Sequence, residues 1–120
     1  MTNISDGNAQ VNLFRGGGGA LGILFRYSDP LNYWYAESDG NSVFITKRVN
    51  GVALGASLGA IGVIGNLRIV LNGSTIKIYM NNNFVATRTD NFNQNETGFG
   101  IFGDQIGSTS QFDNISVTSL

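Results

Sequence analysis

Few residues in this chain could do covalent chemistry. There is no histidine and no cysteine among its 120 residues, which excludes the common serine and cysteine triads, thiolate metal sites and disulfides together. Acid and base work would fall to carboxylates. Glu37 and Asp39 stand close in sequence, but Asp39 precedes Gly40 in what reads as a turn. No convincing partner supplies the second carboxylate, ~5–9 Å away, that glycoside hydrolysis needs. The chain reads as non-catalytic. What remains suits binding: Tyr33, Trp34 and Tyr35 in a row, with Arg26, Arg68, Lys77 and Tyr79 placed singly. Aromatic rings stack on sugars or anchor protein partners, and polar neighbours fix the orientation. Asp29, Asp39, Asp90 and Asp104 fall in or near turn signals, where calcium could bind through carboxylate and backbone oxygens. They do not cluster, and turn formation accounts for Asp-Pro and Asp-Gly equally well. No metal site is assigned, and calcium is the one cofactor left open.

The surroundings of these residues bound the function further. Seven Lys plus Arg against eight Asp plus Glu give a net charge of −1, scattered singly. No basic stripe exists to neutralise phosphates, so nucleic acid is not an expected partner. Charged residues make up 12%, Gly reaches 17 and Pro is a single residue. The length suits one domain, 1–120, whose first eight residues read as a polar N-terminal arm. Residues 1–10 carry no basic segment followed by an apolar one. The expectation is synthesis without a signal peptide and a final place in a virion or other extracellular particle, otherwise in the cytoplasm.

Short runs rich in Val, Ile, Phe and Tyr recur with a period of two, and none has helical apolar spacing. Strands are expected over 9–14, 21–27, 33–37, 42–49, 67–72, 75–80, 84–87, 97–102 and 112–118. Asn72-Gly73 marks a hairpin, because a primed turn needs positive φ and these residue types supply it at least cost. With a second turn at 81–83, three of these strands should form a meander. Such a pattern implies an all-β sandwich or barrel. The uncharged run 51–65 is too short to span a membrane and reads as two short strands joined by a Gly-rich loop, or as an apolar assembly surface. Gly17 to Gly22 matches G-x-G-x-x-G literally, but a strand follows where a dinucleotide site needs a helix. N-x-S/T sequences at Asn3, Asn72, Asn95 and Asn114 matter only in a eukaryotic secretory route.

Gly22 to Tyr27, Asp29 to Tyr35, Lys47 to Gly51, Leu67 to Gly73, Ile76 to Met80, Gly98 to Phe102 and Phe112 to Val117 follow one another in an order that resembles the concanavalin A-like, laminin-G-like jelly-roll superfamily. The resemblance covers the chain from about Ala9 onward. It implies an antiparallel two-sheet jelly-roll sandwich with ligands on a concave face or on rim loops. Members bind glycans, bind proteins or hydrolyse polysaccharides, so fold alone does not choose among functions. The hydrolytic members carry alternating acids, roughly Glu-x-Asp-x-x-Glu, and here Ser42 stands where the second Glu belongs. Such domains usually begin with a strand upstream of Ala9 that pairs with the final one. Only eight polar residues precede Ala9, so the final strand, 112–118, is expected to lack a partner and to be covered by another subunit.

Parity then places candidate contacts. If Ile23, Phe25 and Tyr27 point between the sheets, Leu24 and Arg26 point outward, and Arg26, Arg68, Lys77 and Tyr79 share a face. Two functions are compatible with this arrangement. The first is an assembly module such as a capsid decoration, cement or fibre domain, which self-associates or docks on neighbouring subunits through Val52, Leu54, Leu58, Ile61, Val63, Ile64, Ile115 and Val117. The alternative is a lectin-like carbohydrate-binding or adhesion module using Arg26, Tyr33, Trp34, Tyr35, Arg68, Lys77 and Tyr79.

Overall fold

The computed structural model describes residues 5–14, 19–60, 64–104 and 111–119. Ten strands run through them: β1 (Gly7–Phe14), β2 (Ala20–Asp29), β3 (Asn32–Ser38), β4 (Ser42–Val49), β5 (Val52–Ala60), β6 (Asn66–Asn72), β7 (Thr75–Met80), β8 (Asn83–Thr89), β9 (Gly98–Asp104) and β10 (Gln111–Ser119). No helix occurs among the described residues. The strands form two five-stranded sheets, ordered β10-β1-β6-β7-β8 and β5-β4-β3-β2-β9. Neighbours are antiparallel, and the chain changes sheet after β1, β5, β8 and β9, as in a jelly roll.

Alternation builds the sandwich. Leu67, Ile69 and Leu71 of β6 are fully buried, whereas Arg68 and Val70 between them lie half-buried on the other side. Ala9, Val11, Leu13, Ile76, Ile78 and Met80 complete the inner face of the first sheet. The second sheet answers with Leu21, Ile23, Phe25, Trp34, Ala36, Val43 and Ile45. Each sheet therefore buries one face and presents the other, as a two-residue period requires. With no cysteine to cross-link it, the domain depends on this apolar burial.

The hairpins close on left-handed residues. Asn50 and Gly51 (φ 50° and 84°) join β4 to β5, and Asn81 and Asn82 (φ 51° and 65°) join β7 to β8. Positive φ at both central positions matches the right-handed twist of the flanking strands. At the β6–β7 turn the strands close at Asn72↔Thr75, so the loop is Gly73-Ser74. The loop lies between the strand bounds expected, 67–72 and 75–80, and Gly73 takes the positive φ, 58°, whereas Asn72 does not.

Three expectations change. Gly7 and Asn8 belong to β1 rather than to a polar arm, and Asp6 accepts a hydrogen bond from the Gly73 amide at 2.9 Å. The final strand does have a partner: β1 pairs with β10 from Gly7↔Ser119 to Phe14↔Gln111, leaving only the far side of β10 as an open edge. Within the apolar run, Val52–Ala60 forms one strand, β5, at the edge of the second sheet and paired with β4, where a strand and a loop were expected. At an edge, small residues suffice, so glycine there does not signal a loop. Of the assembly candidates, Val52, Leu54 and Ile115 are exposed, whereas Leu58, Ile64 and Val117 pack against the core. Ile61 and Val63 lie outside the described residues, as do Asn3 and positions 16–18 of the Gly-rich run.

Candidate functional site

β2 carries one residue more than β9 can pair and two more than β3 can. Phe25 faces Phe99 on β9 and Trp34 on β3, and the next residue paired on the β9 side is Tyr27, opposite Gly98. Arg26 is the residue left over, with φ 47°. A bulge of this kind reverses the parity of the residues beyond it. Arg26, expected on the outer face, is therefore fully buried, and Tyr27, expected between the sheets, lies with the outer tyrosines. Inside, Arg26 Nη2 donates to the Gly73 carbonyl at 2.7 Å, to Asp6 Oδ1 at 3.3 Å and to the Ser5 carbonyl at 3.5 Å. Burial pulls the guanidinium below its ordinary pKa, and the Asp6 carboxylate offsets part of that.

Trp34 also departs from expectation. It is a core residue, stacked on Phe25 with centroids 5.9 Å apart and planes at 13°. Its Nε1 donates to the Phe92 carbonyl at 2.8 Å, which ties the loop after β8 to the second sheet. Lys47 follows the inward parity of Val43 and Ile45 and lies over the Trp34 and Phe92 rings at 5.8 and 5.9 Å. Its Nζ meets Asp90 Oδ2 at 2.7 Å. Burial pushes the Asp90 carboxyl up, but the Lys47 hydrogen bond, the Phe92 amide and the Lys47 charge together hold it below its ordinary value.

With Trp34 inside, Tyr33 and Tyr35 stay on the outer face of the second sheet, where Tyr27 joins them. Tyr27 and Tyr33 stack at 5.7 Å and 27°, and Tyr33 and Tyr35 lie 6.0 Å apart at 43°. Strand pairing sets Arg48 opposite Tyr33, Thr46 opposite Tyr35 and Phe44 opposite Glu37. Beyond them Ala53, Gly55 and Ser57 of β5 form a low border opposite Arg48, Thr46 and Phe44. Thr46 is only 7% exposed although it faces outward, and a Cβ on Gly55 would come within 2.5 Å of its Oγ1. The three tyrosines, Glu37, Phe44 and Arg48 are all half-buried, so each keeps part of its surface open to a ligand. The face can offer ring surfaces for stacking, hydroxyls, a carboxylate and a guanidinium within one patch.

The remaining candidates stand on the opposite side of the molecule. Arg68 and Tyr79 are paired in register on the outer face of the first sheet, with the guanidinium 4.0 Å from the ring centroid. Tyr79 meets Phe84 edge-on at 5.8 Å, and Lys77 is exposed on the same strand face. The seven contact candidates thus fall in three places: Tyr33 and Tyr35 on one sheet, Arg68, Lys77 and Tyr79 on the other, and Arg26 and Trp34 between them. Sequence reasoning missed Tyr27, Glu37, Thr46 and Arg48. Alternation in β4 carried a signal for Arg48, because inward Val43 and Ile45 put Thr46 and Arg48 outward. Nothing in the sequence marked the bulge that turns Tyr27.

The aspartates stand in separate turns. Asp29 accepts hydrogen bonds from the Leu31 amide at 2.8 Å and the Asn32 side chain at 3.0 Å, which hold its carboxyl below the usual range. Asp39 accepts from the Asn41 and Ser42 amides, and Asp90 from the Phe92 amide. No group of three acidic side chains that could hold an ion occurs among the described residues, and the Asp104 side chain lies outside them.

No protein-family model matches the chain, and no curated protein matches it in sequence. Solved structures do. The carbohydrate-binding module CBM66 from Bacillus subtilis superposes with a TM-score of 0.71 at 24% identity, over 95% of this chain and 75% of that one. A galectin of Caenorhabditis elegans gives 0.71 at 15% identity, over 98% and 86% of the two chains. A tetrameric galectin of the ball sponge Cinachyrella gives 0.70 at 11% identity, over 97% and 94%. At such identities the likeness is one of architecture, and together with the strand order it makes this chain a jelly-roll β-sandwich of the kind found in carbohydrate-binding modules and galectins.

Proposed function

We propose that this chain is a non-catalytic carbohydrate-binding module that takes a saccharide on the outer face of its second sheet. The observation that carries the reading is the tyrosine row, Tyr27, Tyr33 and Tyr35, set in tandem at 5.7 and 6.0 Å with Thr46, Arg48 and Glu37 beside it. Neighbouring rings along a strand edge offer the apolar faces of successive sugars a stacking surface, and flanking polar groups select hydroxyl positions. Structural neighbours named as a carbohydrate-binding module and as galectins support this reading over a virion or particle decoration. One observation favours an assembly role as a second reading: Val52 and Leu54 on β5 and Ile115 on β10 are exposed at 59%, 52% and 54% on open edge strands.

Calorimetry of the purified chain against a panel of oligosaccharides tests the proposal. Saturable binding is expected, with Tyr33→Ala and Tyr35→Ala each weakening it roughly tenfold, about 1.4 kcal/mol. Lys77→Ala and Tyr79→Ala, on the other sheet, should leave it unchanged. Binding that survives both tyrosine changes on the second sheet and fails with Tyr79→Ala would move the site to the first sheet. No binding to any saccharide would remove the reading.

A further inference from the structure

The outer face of the second sheet is electrically divided along its length. Glu37 and Arg48 are its charged side chains among those described, and strand pairing sets Glu37 beside Phe44 and Arg48 beside Tyr33. Phe44 and Arg48 are four residues apart on β4, about 13 Å along an extended strand. The positive end is the end where Tyr27 and Tyr33 stack. Arg48 forms no salt bridge with any described residue, in contrast to Arg26 with Asp6 and Lys47 with Asp90. Its Nε is shut off from solvent and has no hydrogen-bond partner.

Arg26 also holds an unpartnered Nε, but it has Asp6 as a countercharge, and Arg48 has none among the described residues. A buried donor without an acceptor has lost its water and gained nothing in return. With its Nε covered, the guanidinium still offers its two terminal Nη–H groups as a parallel pair that matches the two oxygens of a carboxylate or two oxygens of a sulfate. Neutral hydroxyls satisfy one donor at a time and bring no charge. Tyr33 is paired in register with Arg48, so a sugar ring lying against Tyr33 would present a ring substituent toward the Arg48 side.

Resting on the carbohydrate reading, we propose that the module selects saccharides bearing an anionic substituent, a carboxylate or a sulfate, which Arg48 clamps while the ring rests on Tyr33. The chain as a whole carries a net charge of −1, so the preference comes from this one guanidinium rather than from long-range attraction.

An array of neutral, uronate-containing and sulfated oligosaccharides, followed by calorimetry on trigalacturonate and its methyl ester where uronates bind, or on a sulfated disaccharide and its desulfated form where sulfates do, tests this. The anionic member of a pair should bind at least tenfold more tightly, and its affinity should fall as NaCl is raised while that of the neutral member holds. Arg48→Gln should bring the two members to within about twofold of each other, and Arg48→Lys should keep part of the preference. Circular dichroism on both variants separates loss of binding from loss of fold. Neutral binders alone, or an Arg48→Gln variant that weakens both members equally, would overturn the anionic preference and leave the carbohydrate reading standing. An array with no binder at all would overturn both.

Discussion

Tyr27 lies 5.7 Å from Tyr33 because Arg26, one residue earlier, has no partner on the neighbouring strand and turns inward. The outer aromatic row and the buried guanidinium are two results of one bulge. Holding Arg26 inside requires its countercharge, and Asp6 supplies it at 3.3 Å from a position 45% exposed. Asp6→Asn keeps the acceptor for the Gly73 amide and removes the charge, leaving a cation buried against carbonyls alone. The variant should lose about 2 kcal/mol in urea denaturation, less than a fully buried pair would lose because Asp6 is partly in water. Its tyrosine face should be disturbed as well, so saccharide affinity should fall although no ligand contact has been removed.

The single tryptophan tests the inner half of the same picture. Trp34 is 4% exposed, stacked on Phe25 and bonded to the Phe92 carbonyl. Its fluorescence should be blue-shifted, resist quenching by iodide and change little when the tyrosine face is occupied. Trp34→Phe keeps most of the stacking and drops the hydrogen bond, which should cost about 1–2 kcal/mol.

Acid should weaken the fold through Asp90. Its carboxyl titrates below its ordinary value, so the folded chain holds it ionised more readily than the unfolded chain does. The resulting stability is fully present above the ordinary carboxylate range and is lost as pH falls through the lowered folded value. Asp90→Asn should be less stable than the parent by up to about 1 kcal/mol at pH 7. The difference between the two should shrink below about pH 4 and vanish once Asp90 is protonated in both states.

Edge strands set the behaviour at high concentration. β10 and β5 each leave one side unpaired, and both present large apolar side chains there. Light scattering across a concentration range should show the mass rising through reversible self-association. Val52→Lys combined with Ile115→Lys should suppress the rise while changing stability by less than about 1 kcal/mol, because both positions are more than half exposed.

Where the chain alternates strictly, its sequence was readable. β4 and β7 have the boundaries expected from composition, and the hairpins fell where Asn and Gly allow positive φ. Those signals are local, so a single sequence carries them. The errors were non-local. Whether Val52–Ala60 is a strand depends on β4 lying beside it, and whether the final strand has a partner depends on where β1 goes. A bulge is harder still, because it adds one residue without changing composition, and it displaced Arg26 and Tyr27 together. For the candidate face, Tyr33 and Tyr35 were legible as aromatics, and Trp34 between them was misassigned although the same alternation sends it inward.

One consequence of the β1–β10 pairing concerns architecture beyond the domain. Gly7 lies directly across from Ser119, so the polypeptide enters and leaves the fold on adjacent strands, about 5 Å apart. That is the spacing of a loop. The domain can therefore be spliced into a surface turn of a host protein with little distortion. The junction belongs to the first sheet and the tyrosine row to the second, so a graft made this way would carry the tyrosine face turned away from the host.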